Sequence, residues 1–218
     1  MSTVYREYIN GTVFTGEIKQ DIEIFLINHN EESTYHHTLS VLNESVRVAN
    51  IFGVDIELAT QAALLHDVSK VIPKTDMMRI AQESNIKILE DECHYHRIIH
   101  QKLSKDMASK IFGCTNTDVL EAIECHTTLK AGANILAKVL FVSDKISWDL
   151  PGDHPYQEAM RSKLENLDLD GAALVYLDHV WGQRDKLKLV HPWLIEARDE
   201  LMLSLNDGYE SSIKTSIA

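Results

Sequence analysis

Six histidine and aspartate side chains are the residues of this chain whose types and spacing could do chemistry. Each one falls on a stretch of helical spacing, and together they are His37, His66, Asp67, His100, His126 and Asp144. Imidazole nitrogens combined with carboxylate oxygens suit iron, manganese, cobalt or zinc, and such sites leave coordination positions for water. A carboxylate next to a histidine can also bridge two ions. The set therefore predicts a metal centre with one or two ions.

The adjacent pair His66 and Asp67 stands at the end of an apolar run and is followed by Lys70. Apolar residues recur with helical spacing over residues 56–66, after Asp55, a residue type that caps helix N-termini. The pair is therefore expected at the C-terminus of a helix. A lysine one turn further on could add positive charge beside the pair, or it could simply interact favourably with the helix dipole.

The other four candidates lie on helices of their own, which are predicted from apolar residues three and four positions apart. These helices begin near residues 33, 99, 117 and 135, and in that order they carry His37, His100, His126 and Asp144. A single histidine on an apolar helical face is usually a hydrogen-bonded core residue. Five helices that each present a histidine or an aspartate favour one shared site instead.

The chain is predicted to be all-α, because apolar residues recur with helical spacing and no long stretch alternates as a strand does. We expect one domain of about eight to ten helices over residues 17–205. Residues 1–16 would form an N-terminal arm without a helical period, and residues 206–218 a loosely ordered polar tail. A turn over residues 150–155 would precede the last three helices.

Composition and charge exclude several classes of partner. There are 33 acidic and 21 basic residues, and the resulting formal charge of -12 disfavours binding to nucleic acid. Three cysteines without a CxxC spacing predict neither disulfides nor a thiolate zinc site. The N-terminus has no signal-peptide pattern and no apolar run is long enough for a bilayer, so we expect a soluble cytoplasmic protein without a membrane partner. The apolar helical stripes could leave a patch for a homodimer.

The order of the six candidates resembles the HD superfamily of metal-dependent phosphohydrolases. Over residues 17–203 several runs are similar to the YqeK-type symmetrical diadenosine tetraphosphatases: His37-Thr38-Leu39-Ser40-Val41, Leu64-Leu65-His66-Asp67-Val68-Ser69-Lys70, Cys125-His126-Thr127-Thr128, Val142-Ser143-Asp144, and Val190-His191-Pro192 followed by Glu196-Ala197-Arg198. The His-Thr-Thr run and the C-terminal His-Pro run are more specific than the His-Asp pair.

This resemblance implies both a reaction and roles for the residues. One or two iron ions would be held by His37, His66, Asp67 and Asp144. His100 and His126 would complete a second metal site or contact a phosphate, and the phosphate contacts would include Lys70, Thr127 and Thr128. The implied catalytic residues are Asp67, Lys70, His100 and His126. The implied reaction splits diadenosine tetraphosphate into two ADP through a metal-bound hydroxide, so the expected partner is a nucleotide or dinucleoside polyphosphate.

After Asp144 the chain departs from the family pattern. The pattern there is close to Tyr-Ile-Glu-Pro and is followed by an arginine that contacts nucleotide, whereas this chain has Lys145-Ile146-Ser147-Trp148-Asp149-Leu150-Pro151. Lys145, Trp148 or Arg161 could replace the arginine, or another phosphoester could be the substrate. Two alternatives therefore stay open: a phosphohydrolase of another nucleotide, and a nucleotide-sensing module without catalysis.

The remaining histidines and the aromatic residues have less specific expectations. His29, His36 and His179 are expected at the surface, and His154 and His191 in turns beside prolines. His94 and His96 could contact substrate or an accessory metal. Core packing is the expected role of four aromatic residues that could otherwise stack on a base: Trp148, Tyr156, Trp181 and Trp193.

Overall fold

Helices make up the regular structure of the chain. The structure is a computed structural model that describes residues 4–148 and 153–216, with side chains as far as residue 205. Its α-helices are α1 (Arg6–Ile9), α2 (Ile18–Asn28), α3 (Glu32–Phe52), α4 (Ile56–Leu65), α5 (Met77–Glu83), α6 (His100–Lys110), α7 (Thr117–Cys125), α8 (Ile135–Ile146), α9 (Tyr156–Glu165), α10 (Leu169–Gly182) and α11 (Pro192–Ser216). The described ranges contain no strand, so the all-α prediction is confirmed.

Helix α4 lies at the centre of the helices that carry the candidate site. It packs against α3, α6, α7 and α8. Its neighbours can approach closely because Ala59, Ala62 and Ala63 are fully buried and add little bulk. The helix ends at Leu65, and His66 is its C-cap residue. The His-Asp pair therefore emerges from the end of a buried helix, as the sequence predicts.

Capping residues fix where two of these helices begin. Asp55 Oδ1 accepts hydrogen bonds from the amides of Glu57 and Leu58 at 2.8 and 3.0 Å, which satisfies two of the free N–H groups at the start of α4. Asn116 caps α7 in the same way, so it is Asn116 and not Thr117 that fills this predicted role.

The N-terminal arm is packed into the core. Tyr5 is 1% exposed, and its hydroxyl donates to Asp106 Oδ2 at 2.7 Å while accepting from Ser84 Oγ at 3.2 Å. Tyr8, one turn later, is also buried. The arm also contains the short helix α1, which the missing helical period did not predict.

The C-terminal helices close one side of the molecule, since α10 packs against α8, α9 and α11. Helix α11 continues to Ser216, so it includes part of the segment that was expected to be a loosely ordered tail. The domain limits at residues 16 and 205 stay predictions. Leu150, Pro151 and Gly152 of the predicted turn lie outside the described residues. Ile135, predicted on the apolar stripe of α8, is 51% exposed because it is the first residue of that helix.

None of the helices in the described ranges combines the length and the apolar character that crossing a membrane requires. All three cysteines are free thiols, as predicted: Cys93 is exposed, and Cys114 and Cys125 are buried. The cytoplasmic location and the homodimer stay predictions.

We expect Asp55→Ala to lower the free energy of unfolding by about 1 kcal/mol, because the first amides of α4 lose their acceptor. Urea denaturation followed by circular dichroism measures the change. The matched control is Asp55→Asn, which keeps an acceptor oxygen and should retain most of the stability. Equal losses in both variants would contradict the capping role.

Candidate functional site

Four predicted histidines surround the carboxylate of Asp67, and Asp144 joins the cluster through His37. Its Oδ1 lies 3.4 Å from His100 Nε2 and 3.5 Å from His126 Nε2, and its Oδ2 lies 3.6 Å from His66 Nε2. His37 Nε2 is hydrogen-bonded to Asp144 Oδ1 at 3.0 Å, and its ring centroid is 5.5 Å from that of His66. Residues from five helices therefore meet at one place.

Two groups of possible ligands overlap within this cluster. One contains His37 and His66 and the other contains His100 and His126, and Asp67 belongs to both. Within each group the ligand atoms all lie within 4.8 Å of one another. The arrangement could hold one ion, or two ions that share Asp67.

Backbone carbonyls orient three of the imidazoles. The Nδ1 atoms of His66, His100 and His126 lie 2.7, 2.7 and 2.8 Å from the carbonyl oxygens three residues earlier, which belong to Ala63, Arg97 and Ile123. A carbonyl oxygen only accepts, so Nδ1 carries the proton in each ring. Nε2 is then the atom left to face the cluster as a ligand.

The inner atoms of the cluster fit a cation. The Nε2 atoms of His100 and His126 are 3.1 Å apart, and in the neutral rings both present lone pairs, which repel each other. His66 Nε2 and Asp67 Oδ1 are buried and have no hydrogen-bond partner among the described residues. Unpaired buried acceptors are unfavourable, and a divalent ion would satisfy all of them. Nitrogen and oxygen donors suit iron, manganese, cobalt or zinc.

Two lysines keep the carboxylates of the cluster ionised. Lys70 Nζ lies 3.5 Å from Asp67 Oδ2, and the buried Lys145 Nζ lies 2.6 Å from Asp144 Oδ2. Burial alone raises a carboxyl pKa, but Lys70 holds the pKa of Asp67, and Lys145 that of Asp144, well below the usual range. Both aspartates are therefore charged at neutral pH, the form in which a carboxylate binds a metal.

The pKa values of three histidines in the cluster are shifted, two of them downward and one upward. Burial lowers the pKa of His66 to about 4, and burial together with the charge of Lys70 holds the pKa of His100 well below its ordinary value. Burial also acts to lower the pKa of His37, but its hydrogen bond to Asp144 and the negative charges of Asp144 and Asp67 together outweigh this and raise the pKa. His66 and His100 are thus neutral at pH 7, as metal ligation requires.

The two threonines of the His-Thr-Thr run face in different directions. Thr127 Oγ1 lies 3.1 Å from His100 Nε2 and borders the cavity at the cluster. Thr128 is 2% exposed, and its hydroxyl accepts from Gln101 Nε2 at 3.2 Å. The predicted phosphate contact of Thr128 is therefore corrected, because this side chain points into the protein and does not line the cavity.

A cavity of about 400 Å³ opens beside the cluster. One part of its wall is polar and is formed by Asp67, Lys70, His100, His126, Thr127, Asp144 and Lys145. Another part is mainly aromatic and apolar and is formed by Trp148, His154, Tyr156, Tyr176, His179, Val180, Gln183 and Leu187. The metal candidates therefore border a space with both charged and aromatic walls.

Several of these wall residues have contacts that the sequence does not predict. His154 lies in a turn as predicted and His179 was expected at the surface, and both border the cavity. Tyr176, Val180 and Gln183 were not predicted at the site at all. With His179 they recur at three and four positions along α10, and this spacing is the signal that could have identified them.

The three proposed replacements for the family arginine have different positions. Lys145 and Trp148 both line the cavity. Arg161 does not, because its guanidinium donates to the carbonyl of Ile146 at 3.3 Å and lies 3.7 Å from Glu44 Oε1. Residues 149–151 of this run lie outside the described residues.

His191 lies in the loop before α11 and belongs to a buried polar network, a role that the sequence does not predict for it. It is 2% exposed; its Nδ1 accepts from the Trp193 amide at 3.2 Å, and its Nε2 lies 3.1 Å from Glu92 Oε1. The other carboxylate oxygen of Glu92 is 2.7 Å from Lys102 Nζ. This network joins the start of α11 to the segment that precedes α6.

The other predicted histidines and tryptophans lie outside the cavity. His36 is exposed as predicted, whereas His29 is half-buried with Nδ1 2.7 Å from the carbonyl oxygen of Phe25. Trp181 lies against Arg184 and Arg198, and Trp193 lies against Lys102, so neither faces the cavity. His94 and His96 are exposed and border a neighbouring cleft.

Comparisons with known proteins agree with this arrangement. The HD domain family matches residues 34–149. An uncharacterized protein in the pepC 5' region of Lactococcus lactis subsp. cremoris is 41% identical over 140 residues, which cover 64% of this chain and 70% of that protein. A symmetrical bis(5'-nucleosyl)-tetraphosphatase of Bacillus subtilis (strain 168) is 34% identical over 116 residues, 53% of this chain. The match spans 61% of that enzyme, less than two thirds of its length.

A solved structure has a similar fold. It is the crystal structure of a predicted HD superfamily hydrolase involved in NAD metabolism from Clostridium acetobutylicum. The TM-score is 0.77 at 28% sequence identity, and the match covers 89% of this chain and all of the other.

The metal-free protein should lose stability as the pH falls from 7 to 5. His66 has a folded-state pKa of about 4, while an unfolded histidine titrates near 6.5, so in this interval the unfolded state binds the proton first. The expected contribution of His66 is about 2 kcal/mol. Urea denaturation of EDTA-treated protein at both pH values measures it.

The pH dependence of the free energy of unfolding should become weaker in His66→Asn. The matched control is His36→Asn, since His36 is exposed and should leave the dependence unchanged. The raised pKa of His37 makes the free energy of unfolding rise as the pH falls, opposite to the effect of His66. This contribution is present in the parent and in both variants, so it does not affect the comparison. The same pH dependence in His66→Asn and in the parent would contradict a buried neutral His66.

Proposed function

The chain belongs to the HD domain family, and we propose that it is a metal-dependent phosphohydrolase that splits diadenosine tetraphosphate symmetrically into two ADP. The observation that carries the proposal is the convergence of the Nε2 atoms of His66, His100 and His126 on the Asp67 carboxylate at the edge of a cavity, with His66 Nε2 and Asp67 Oδ1 left unpaired among the described residues. The tetraphosphatase name of the Bacillus subtilis relative supports the substrate.

In this proposal His37, His66, Asp67 and Asp144 hold iron. Asp67 also belongs to the second ligand group, so His100 and His126 hold a second ion or contact the phosphate. A bound ion lowers the pKa of water and neutralises charge on phosphoryl oxygens. The same donor set also accepts manganese, cobalt or zinc.

The protein's own contribution is to bind and orient the phosphate. Lys70 presents an ammonium group to the cavity, and Thr127 presents a hydroxyl beside His100. Both can donate to phosphoryl oxygens as negative charge builds up. Asp67, Lys70, His100 and His126 are the catalytic residues of this proposal. Thr128 acts indirectly, since it holds Gln101, whose Oε1 accepts from the Thr127 amide at 3.2 Å.

The nucleoside would bind against the aromatic wall of the cavity. Trp148 and Tyr156 both line this wall and present ring surfaces on which a base can stack. Trp148 also makes an edge contact with His37, with ring centroids 5.9 Å apart. A base at this wall would place its phosphates toward the metal cluster, because the charged residues form the other wall.

A second candidate is a phosphohydrolase of another nucleotide. It is favoured by the run after Asp144, which has Lys145 in place of the family pattern. The name of the Clostridium acetobutylicum neighbour, which refers to NAD metabolism, also allows a different nucleotide. A sensing module without catalysis is less well supported, because its expected signature is the loss of a ligand and all six are present in the cluster.

Iron- or manganese-loaded protein should convert diadenosine tetraphosphate into ADP as the sole nucleotide product. Ion-exchange chromatography of the reaction separates ADP from AMP and ATP. Formation of AMP plus ATP would contradict symmetrical cleavage. Faster turnover of a mono-, di- or triphosphate in a parallel panel would favour the second candidate.

Asp67→Asn should lower the metal content and reduce kcat/KM by about 100-fold or more, because both ligand groups lose their shared charged oxygen. Elemental analysis and steady-state kinetics measure the two effects. The matched control is Asp170→Asn, which removes a carboxylate that is paired with Lys138 away from the cavity. Full turnover by Asp67→Asn would overturn the assigned role.

A further inference from the structure

Arg97 lies at the junction of three cavities. Its exposed side chain lines the cavity at the metal cluster and two smaller clefts of about 320 and 340 Å³. Tyr95 is shared by the first and second cavities, Lys70 by the first and third, and Lys74 by the second and third. The cavities therefore form one groove that extends from the cluster past Arg97.

The groove carries positive charge although the whole chain is acidic. The formal charge of the chain is -12, yet Lys70, Lys74 and Arg97 line the two smaller clefts. Glu31 is the one carboxylate among the described residues of these clefts, and its Oε2 accepts from Thr34 Oγ1 at 2.6 Å. Cationic side chains gathered in a groove favour an anionic ligand.

Lys74 and Arg97 are free to bind such a ligand. Within the described ranges neither side chain is paired with a carboxylate, in contrast to Lys70, which lies near Asp67. A guanidinium can donate two parallel hydrogen bonds to a phosphate, and an ammonium adds a point charge. The two together suit a ligand with more than one phosphate group.

The backbone of Arg97 is fixed to the metal cluster. Its carbonyl oxygen accepts the Nδ1 proton of His100 at 2.7 Å, and the next two residues, Ile98 and Ile99, are buried. The guanidinium therefore projects from an anchored backbone position three residues before a candidate ligand. An anchored backbone leaves only the side chain to be ordered on binding, which lowers the entropy that binding would cost.

We propose that Arg97 and Lys74 bind the part of a polyphosphate chain that extends beyond the phosphoryl group held at the metal cluster. The ligand class is the linear polyphosphate of a dinucleoside polyphosphate, and in this respect the inference rests on the proposed function. Arg97 then supplies, from the segment before α6, a guanidinium that the run after Asp144 lacks. The groove selects substrates by the length of the phosphate chain.

The test compares the binding of inorganic tripolyphosphate and of orthophosphate to the metal-loaded full chain by calorimetry. Arg97→Ala should weaken tripolyphosphate binding by about tenfold and orthophosphate binding by less than about twofold, because orthophosphate reaches only the cluster. Lys74→Ala should show a smaller effect of the same kind. The matched control is Arg79→Ala, an exposed arginine that pairs with Glu83 and lines none of the three cavities.

Kinetics provide an independent readout of the groove. In Arg97→Ala, KM for diadenosine tetraphosphate should rise by about tenfold while kcat changes little, since the groove binds and does not react. Tripolyphosphate binding by the parent should also weaken with added salt, and more steeply than in the variant. Arg97→Gln repeats the comparison with a side chain that is closer in size to arginine. The metal content and Tm of both variants should equal those of the parent, which excludes damage to the cluster.

Equal affinities of the parent, Arg97→Ala and Arg97→Gln for tripolyphosphate would contradict the proposed role of the groove in polyphosphate binding. The proposed function fails in a different way: a parent protein that binds tripolyphosphate through Arg97 but releases no ADP from the dinucleotide contradicts the function and supports the groove. Conversely, ADP release with an unchanged KM in Arg97→Ala supports the proposed function and contradicts polyphosphate binding by the groove.

Discussion

The site depends on three hydrogen bonds between imidazole Nδ1 atoms and backbone carbonyls. His66, His100 and His126 each donate Nδ1–H to the carbonyl oxygen three residues earlier, at the end of α4, of the short 3₁₀ helix His96–Ile99 and of α7. This contact fixes the tautomer and the direction of each ring. The position of each helix end therefore determines where its histidine points. If a helix ended one residue later, its histidine would point away from the cluster.

The helices around α4 bury most of the polar cluster, so its charged groups need partners within the protein. Ionised carboxylates in a buried place are unfavourable unless they are paired, and here Lys70 and Lys145 provide partial compensation. The unpaired nitrogen of His66 shows that the compensation is incomplete within the described residues. Stability and function therefore compete at this point, and a bound ion would serve both.

The sequence predicts the helices, and the six residues that it singles out lie near one another, because both features depend on local periodicity and on helix ends. It does not predict which of two neighbouring threonines faces the cavity. That choice depends on the turn after α7, which contains both threonines and is followed by Leu129 in the left-handed conformation with φ 55°. His179 and Arg97 were missed for another reason: their access to the cavity depends on how α10 and the segment before α6 pack against distant helices.

The hydrogen bond between Glu92 and His191 couples two regions that are far apart in sequence. Glu92 and His191 are 99 positions apart, and both are almost completely buried. Separating α11 from the segment before α6 would break this bond and leave buried polar atoms without their partner. Local opening of either region is thus opposed, and the two should protect their amide protons from hydrogen exchange as a single cooperative unit. The last helix of the chain in this way stabilises a segment that leads directly into the site.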